Sequence, residues 1–371
     1  MEFFPHTLIH YIRKITYQGT IDYMKSPEIS IIIPVYNASG TIGTIVRGIT
    51  SQTFQNFELI LVDDGSTDST LKVLRGLTTK DKRIVIRSIK NGGPSAARNS
   101  GLAKARGKYV IFFDADDSIT PNLLQVMHSA ISKRNSDIAV AGWNVNVKRN
   151  QSIVKHYKII NPPTRFITGK NSINRFMIKS IGDDGLMYNL WNKIYRLDII
   201  NQNNLRFRED LRFGEDLVFI LHYLKYSSKL QIISDALYDY QADSDSSIFK
   251  LSALEPKYRI VNADELDKFI GKTPTIETLE LANWVKWRWL LSYYRLVAGS
   301  DLTYQRKIQL IKDNQSVNTQ TSNSTKYIDK KRFSLQLVAS VCYRHPTIAL
   351  VFGKLFHYTK ILIMKFRLIK A

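Results

Sequence analysis

Four short apolar runs, each followed at once by polar residues, constrain this chain more than any other feature. They are ISIIIPVY (29–36), FELILVDD (57–64), RIVIRS (83–88) and KYVIFFDADD (108–117). Continuous apolar runs of this length, rich in β-branched side chains, are the signature of strands buried on both faces of a parallel sheet. The segments between them, TIGTIVRGITSQ, STDSTLKVLRGL and SAARNSGLAKARG, carry helical spacing, and PNLLQVMHSAISKR follows with Pro near a helix start. Strand and helix alternate through short connections, so an α/β fold is expected: an open, mostly parallel, Rossmann-like sheet flanked by helices. Ligands of such sheets bind outside the carboxyl ends of the strands, where Asn37, Asp63, Asp64, Asp114 and Asp116 gather here.

The 371 residues are 44% hydrophobic and 23% charged, which excludes global disorder, a collagen-like fibre and a small disulfide scaffold. Lys and Arg number 53 against 32 acids, giving a formal charge of +21 that calls for an anionic neighbour: nucleic acid, an acidic membrane or phosphate-bearing substrates. Cys342 is the sole cysteine, so intrachain disulfides and cysteine metal sites are excluded and a reducing cytoplasm is expected. No run approaches the roughly 18 apolar residues of a spanning helix. The N-terminus is not read as a signal peptide.

Asp114-Ala115-Asp116-Asp117 places carboxylates where a strand opens into a loop. Two carboxylates at i and i+2 can share one hard divalent cation with substrate phosphates, or can equally cap the next helix. Context favours the first. SIIIPVYNASGTI, FELILVDDGSTDST and NGGPSAARNSGLAKARGKYVIFFDADD together resemble the nucleotide-binding half of family 2 glycosyltransferases of the GT-A fold, of the bacterial surface-polysaccharide type. The resemblance covers residues 28–120 closely and continues less tightly through WNKIYR (191–196) and FGEDLVF (213–219).

This resemblance implies a UDP-sugar donor and a role for each motif. Pro34, Val35 and Tyr36 would cradle uracil and ribose; Asp64, with Asp63, would accept the uracil N3–H; Asn91 and Gly92 would form a close-approach turn. Arg98 would touch the nucleotide or hold the acidic loop, Asp114 and Ala115 would border the ribose, and Asp116, with Asp117, would bind Mn²⁺ or Mg²⁺. Asp216 is expected as general base with Glu215 beside it, and Trp191, Asn192 and Lys193 as acceptor residues. The expected reaction is a single in-line displacement that inverts the anomeric centre. YDYQADSDSSIF (238–249) stands where relatives close a loop on the diphosphate, yet it contains no His or Arg. No third metal ligand is assigned.

Three regions are expected: a tail (1–27), a GT-A domain (28–250) whose donor half is 28–120 and acceptor half 121–250, and a helical region (251–371). Between 330 and 371 there are nine Lys or Arg and no Asp or Glu. Ile348, Val351, Leu355, Leu362, Phe366 and Ile369 fall near one helical face, with Lys354, Lys360, Lys365 and Arg367 around it, the layout of an in-plane membrane helix. Trp284, Trp287 and Trp289 are read as core. No G-x-G-x-x-G follows the first strand and no nucleic-acid motif is present, so neither a dinucleotide oxidoreductase nor a nucleic-acid partner is expected. The reading is a metal-dependent hexosyltransferase, peripheral on the cytoplasmic face of the membrane, acting on a lipid-linked or polymeric glycan of a surface polysaccharide. A teichoic-acid-like polymer, a catalytically inactive scaffold of the same fold and a homo-oligomer are left open.

Overall fold

The computed structural model describes residues 26–149, 152–158, 163–183, 185–243, 256–272, 274–315 and 341–355. Strands β1 (Ile29–Val35), β2 (Phe57–Asp63), β3 (Ile84–Ser88) and β4 (Tyr109–Phe112) form from the four apolar runs. They alternate with helices α1 (Ile42–Thr50), α2 (Thr70–Thr78) and α3 (Pro94–Leu102). These four strands pair in parallel in the order β3-β2-β1-β4. The order reverses between β1 and β4, which opens a crevice at their carboxyl ends. Every residue of β2 is buried, as its uninterrupted apolar run requires.

Beyond β4 come β5 (Ser118–Ile119), α4 (Leu123–Lys133), β6 (Ile138–Arg149), β7 (Ser152–Lys158), β8 (Arg165–Thr168) and α5 (Lys170–Asp183). Then follow β9 (Lys193–Arg196), α6 (Leu197–Gln202), α7 (Glu215–Leu224) and β10 (Lys229–Asp243). β9 runs antiparallel between β4 and β6, and β10 pairs with β6 in parallel, so the ten-stranded sheet is mixed. The pattern of 136–246 loosens into short strands, helices and loops, but the two longest strands of the sheet, β6 and β10, lie there. Register shifts between Ile232 and Ala236 and between Ala236 and Tyr238 break the alternation of β10 and disguise it in the sequence.

Helices α8 (Pro256–Ile270), α9 (Ile276–Gly299) and α10 (Tyr304–Gln315) complete the described chain with helical turns over 341–344 and 346–355. The main core does not stop at residue 250. Leu266, Phe269, Leu281, Ala282 and Val285 join the cluster that fills the sheet. A second cluster starts at Trp287 and takes in Tyr293, Tyr294, Cys342, Ala349 and Leu350. Trp284 and Trp287 are buried, as read from the sequence.

Candidate active site

The loops leaving β1 and β2 are stitched together. Asn37 turns left-handed at φ +47, a conformation Asn tolerates, and its Oδ1 accepts from the Thr67 N–H at 2.8 Å. The Asn37 and Ala38 N–H groups donate to Ser66 Oγ (3.0 Å) and Thr70 Oγ1 (2.8 Å). Hydrogen bonds from Thr70 and Ser39 hold the Asp68 carboxyl down at about 2. Next to this stitching Pro34 is half-buried, Val35 is buried and Tyr36 is 51% exposed, a flat ring standing clear at the crevice edge.

Asp64 is buried, and its two oxygens accept the N–H groups of Gly92 and Gly93, both at 2.8 Å. Asn91 Nδ2 donates to the Asp64 carbonyl at 2.9 Å. Gly93 sits at φ +88, which only glycine adopts without strain, so the turn and the carboxylate specify each other. Asp64 therefore builds the wall of the crevice through the turn. Asp63 is also buried and accepts the Ser66 N–H at 3.3 Å.

Arg98, on α3, gathers the acidic motifs. One Nη donates to Asp114 Oδ1 at 3.1 Å; the other donates to Glu215 Oε1 at 3.2 Å and Asp216 Oδ1 at 3.0 Å. The guanidinium lies 5.5 Å from the ring centroid of Phe207, which Asn99 pins by bonds to both its N–H and its carbonyl. Burial works against the charge of Arg98, but the carboxylates of Asp216, Asp114 and Glu215 outweigh it and raise its pKa. One cation faces three acids, so negative charge is in surplus. Burial pushes the Asp216 carboxyl well above the usual range; Arg98 opposes this and Glu215 and Asp114 add to it. The side chains of Asp216 and Asp114 are 25% and 33% exposed, against 12% for Glu215, so the first two present oxygen to the crevice.

Gly214 sets the entry to α7. Its φ is +83, and a Cβ there would stand 2.2 Å from Asn262 Nδ2 on α8. The helix that carries Glu215 and Asp216 is thus seated directly on the carboxyl-terminal region.

Asp114, Ala115 and Asp116 stay at the crevice, Asp116 being exposed. Asp117 turns inward. It is 1% exposed, and its oxygens accept from Tyr238 Oη (2.5 Å) and the Gln241 N–H (2.8 Å). The expectation of Asp117 as a metal ligand gives way to a clasp between the acidic loop and β10. The acceptor assignments change for the same reason. Trp191 is buried and stacks on Tyr238 at 4.4 Å. Asn192 donates to the carbonyls of Ala141 and Leu186, and Lys193 to Leu186, Asn189 and Asn192, both side chains being enclosed. These three are enclosed and do not face the crevice. Sequence reasoning missed Tyr238, Gln241 and Asn262. The first two stand in YDYQ, whose alternation marks a strand but not its partner, and Asn262 carries no local signal.

Among the described residues no group of three or more His, Cys, Asp or Glu could hold a metal. The donors that fit a hard cation are Asp116, with Asp114 next to it, completed by substrate phosphates and water. Residues 1–25, 244–249 and 356–371, on which the closing segment and the rest of the basic face were expected, lie outside the described residues.

An open α/β sheet with carboxylates beyond its switch point and an acidic pair at a facing helix start is the arrangement of the GT-A fold. Residues 30–200 match the family model described as glycosyl transferase family 2. The chain is 30% identical over 226 residues to a cholesterol galactosyltransferase of Borreliella burgdorferi, a match covering 58% of this chain and 61% of that protein. It is 26% identical over 234 residues to a poly(ribitol-phosphate) beta-glucosyltransferase of Bacillus spizizenii, covering 62% of this chain and 34% of that one. The fold is similar to that of S. aureus TarS 1–349 in complex with UDP-GlcNAc, with a TM-score of 0.62 at 19% identity over 90% of this chain and 92% of that one. The match thus spans less than two thirds of the length of these curated relatives.

Proposed function

We propose that the protein transfers a sugar from a UDP-sugar to a hydroxyl of a lipid-linked or polymeric surface glycan, with inversion. The observation that carries this reading is the Arg98 cluster, which joins Asp114 at the donor crevice to Asp216 at a helix 102 residues further along. Tyr36 and the wall built by Asp64 and Gly92 suit a uracil, and a UDP-sugar donor accords with the UDP-GlcNAc complex of TarS.

In this reading Asp216 takes the acceptor hydroxyl proton as the oxygen attacks the anomeric carbon, and UDP leaves on the opposite side. A raised pKa suits a base that must hold the proton through the transition state. Glu215 and Arg98 keep Asp216 in place. Mn²⁺ or Mg²⁺ held by Asp116 would neutralise charge on the departing diphosphate. Among the described residues no helix is long and apolar enough to cross a membrane. Residues 346–355 bury Ala349 and Leu350 but expose Ile348 (45%), Val351 (56%) and Leu355 (60%) beside Lys354. That two-sided helix supports peripheral binding to an anionic membrane on its cytoplasmic face.

The test is a panel of UDP-sugars assayed for turnover with and without Mn²⁺. Metal-dependent turnover of one of them, lowered 10²–10⁴-fold by Asp216→Asn, is expected of a general base. UDP binding with no turnover of any sugar would favour an inactive scaffold.

A further inference from the structure

The crevice is bordered by an aromatic stack that the reaction above does not use. Tyr238 and Tyr240 lie two residues apart on a stretch of β10 with regular register, so their rings stand on one face of the strand. A rise of about 3.4 Å per residue separates them by about 7 Å, which leaves room for one ring. The indole of Trp191 fits that space. It is parallel to both rings, 4.4 Å from Tyr238 at 10° and 5.7 Å from Tyr240 at 9°. Trp143 meets Trp191 edge-on at 5.2 Å and braces it. Exposure rises along the stack: Tyr238 is 0% exposed and Trp191 6%, while Tyr240 is half-buried. Among the described residues no other ring packs on Tyr240, so the stack ends there.

Hydrogen bonds tie this end to the acidic loop. β10 is parallel to β6, and both β6 and β4 are antiparallel to β9, so β10 runs in the direction of β4. Tyr240 therefore lies beyond Tyr238 toward the carboxyl ends of the strands, where the crevice opens. Tyr238 Oη accepts the Asp114 N–H at 3.3 Å and donates to Asp117. The N–H of Gln241, the residue after Tyr240, donates to Asp117 Oδ1 at 2.8 Å. Gln241 Nε2 donates to Ser118 Oγ at 3.0 Å. Tyr240 is thus held beside the loop of Asp114 and Asp116 by contacts on either side of it.

The sheet order says which part of a ligand reaches Tyr240. Tyr36, the uracil platform of the reading above, follows β1, and β4, β9 and β6 lie between β1 and β10. The acidic loop leaves β4 and joins β10 through β5, so a donor with its base at Tyr36 and its diphosphate at Asp116 points its sugar toward β10. The face of Tyr240 is uncharged and has carboxylates for neighbours, which suits a neutral ring and opposes a further anion. A pyranose presents C–H groups on one face, and these are attracted to the negative face of an aromatic ring.

We propose that Tyr240 is the platform on which the pyranose ring of the donor stacks, between the diphosphate and Asp216. Trp191, Tyr238 and Trp143 hold that platform rigid from beneath, so little freedom is lost when the sugar lands. The proposal rests on the UDP-sugar reading and deepens it by assigning a residue to the sugar itself.

The test compares the affinity of the full chain for UDP with that for UDP-glucose, UDP-galactose and UDP-N-acetylglucosamine, by calorimetry in Mn²⁺. For the sugar nucleotide that the parent chain binds best, Tyr240→Ala should weaken binding about tenfold and leave UDP affinity unchanged. The unchanged UDP affinity also shows that the variant is folded. Tyr240→Phe keeps the ring and should keep most of the sugar-nucleotide affinity. Four results would each overturn the platform: UDP-sugar affinity unmoved in Tyr240→Ala, an equal loss for UDP, a loss in Tyr240→Phe as large as in Tyr240→Ala, or a parent chain that binds UDP but none of the three UDP-sugars. A parent chain that binds neither UDP nor any UDP-sugar would sink the underlying reading instead, so the two failures are distinguishable.

Discussion

Arg98 shows how much one buried side chain can decide. Its type and position could be read from NGGPSAARN, but its partners, Asp114, Glu215 and Asp216, are up to 118 residues away and meet it only in the folded chain. Because Arg98 lowers the Asp216 pKa against burial, Arg98→Gln should raise that pKa further. A base is active when deprotonated, so rate is lost as pH falls through its pKa. The acid limb of the kcat/KM profile should therefore move to higher pH in Arg98→Gln, and an unmoved limb would refute Asp216 as the titrating base. Tyr238 is a second residue of this kind. Tyr238→Phe leaves buried Asp117 short of one donor and should lower stability by about 1–3 kcal/mol, read by urea denaturation. Neither partner of that clasp was legible, because a D-A-D-D string does not say which carboxylate points inward.

At the scale of elements, β1 to β4 were legible because strands buried on both faces must be apolar throughout. β6 and β10 were not, since bulges and mixed exposure blur their period. The joint between α7 and α8 was equally hidden. Gly214 combines a positive φ with contact to Asn262, so a side chain there meets backbone strain and a collision at once. Gly214→Ala should destabilise the protein by about 1–3 kcal/mol and displace the helix start that holds Asp216. Thermal denaturation and UDP-sugar turnover should fall together; unchanged turnover would mean that α8 does not seat the base.

For the molecule as a whole, the charge of +21 does not serve the reaction centre, where acids outnumber Arg98 three to one. Part of it lines the helix of 346–355, whose exposed Val351 and Leu355 flank Lys354. Lys354→Glu should weaken co-sedimentation with anionic vesicles roughly tenfold or more, at about 1 kcal/mol for each unit of charge near such a surface. Raising salt should weaken the parent chain likewise; binding indifferent to both would remove the membrane from the reading. The sequence by itself determined the α/β class, the crevice at the carboxyl ends of the strands and the acidic motifs around it, because hydrophobic period and strand-end chemistry are local. Only the tertiary structure decided that Asp117 and Lys193 are enclosed and that Arg98 joins Asp114 to Glu215 and Asp216. Burial and ion pairing across a hundred residues depend on which surfaces meet, and no local pattern records that.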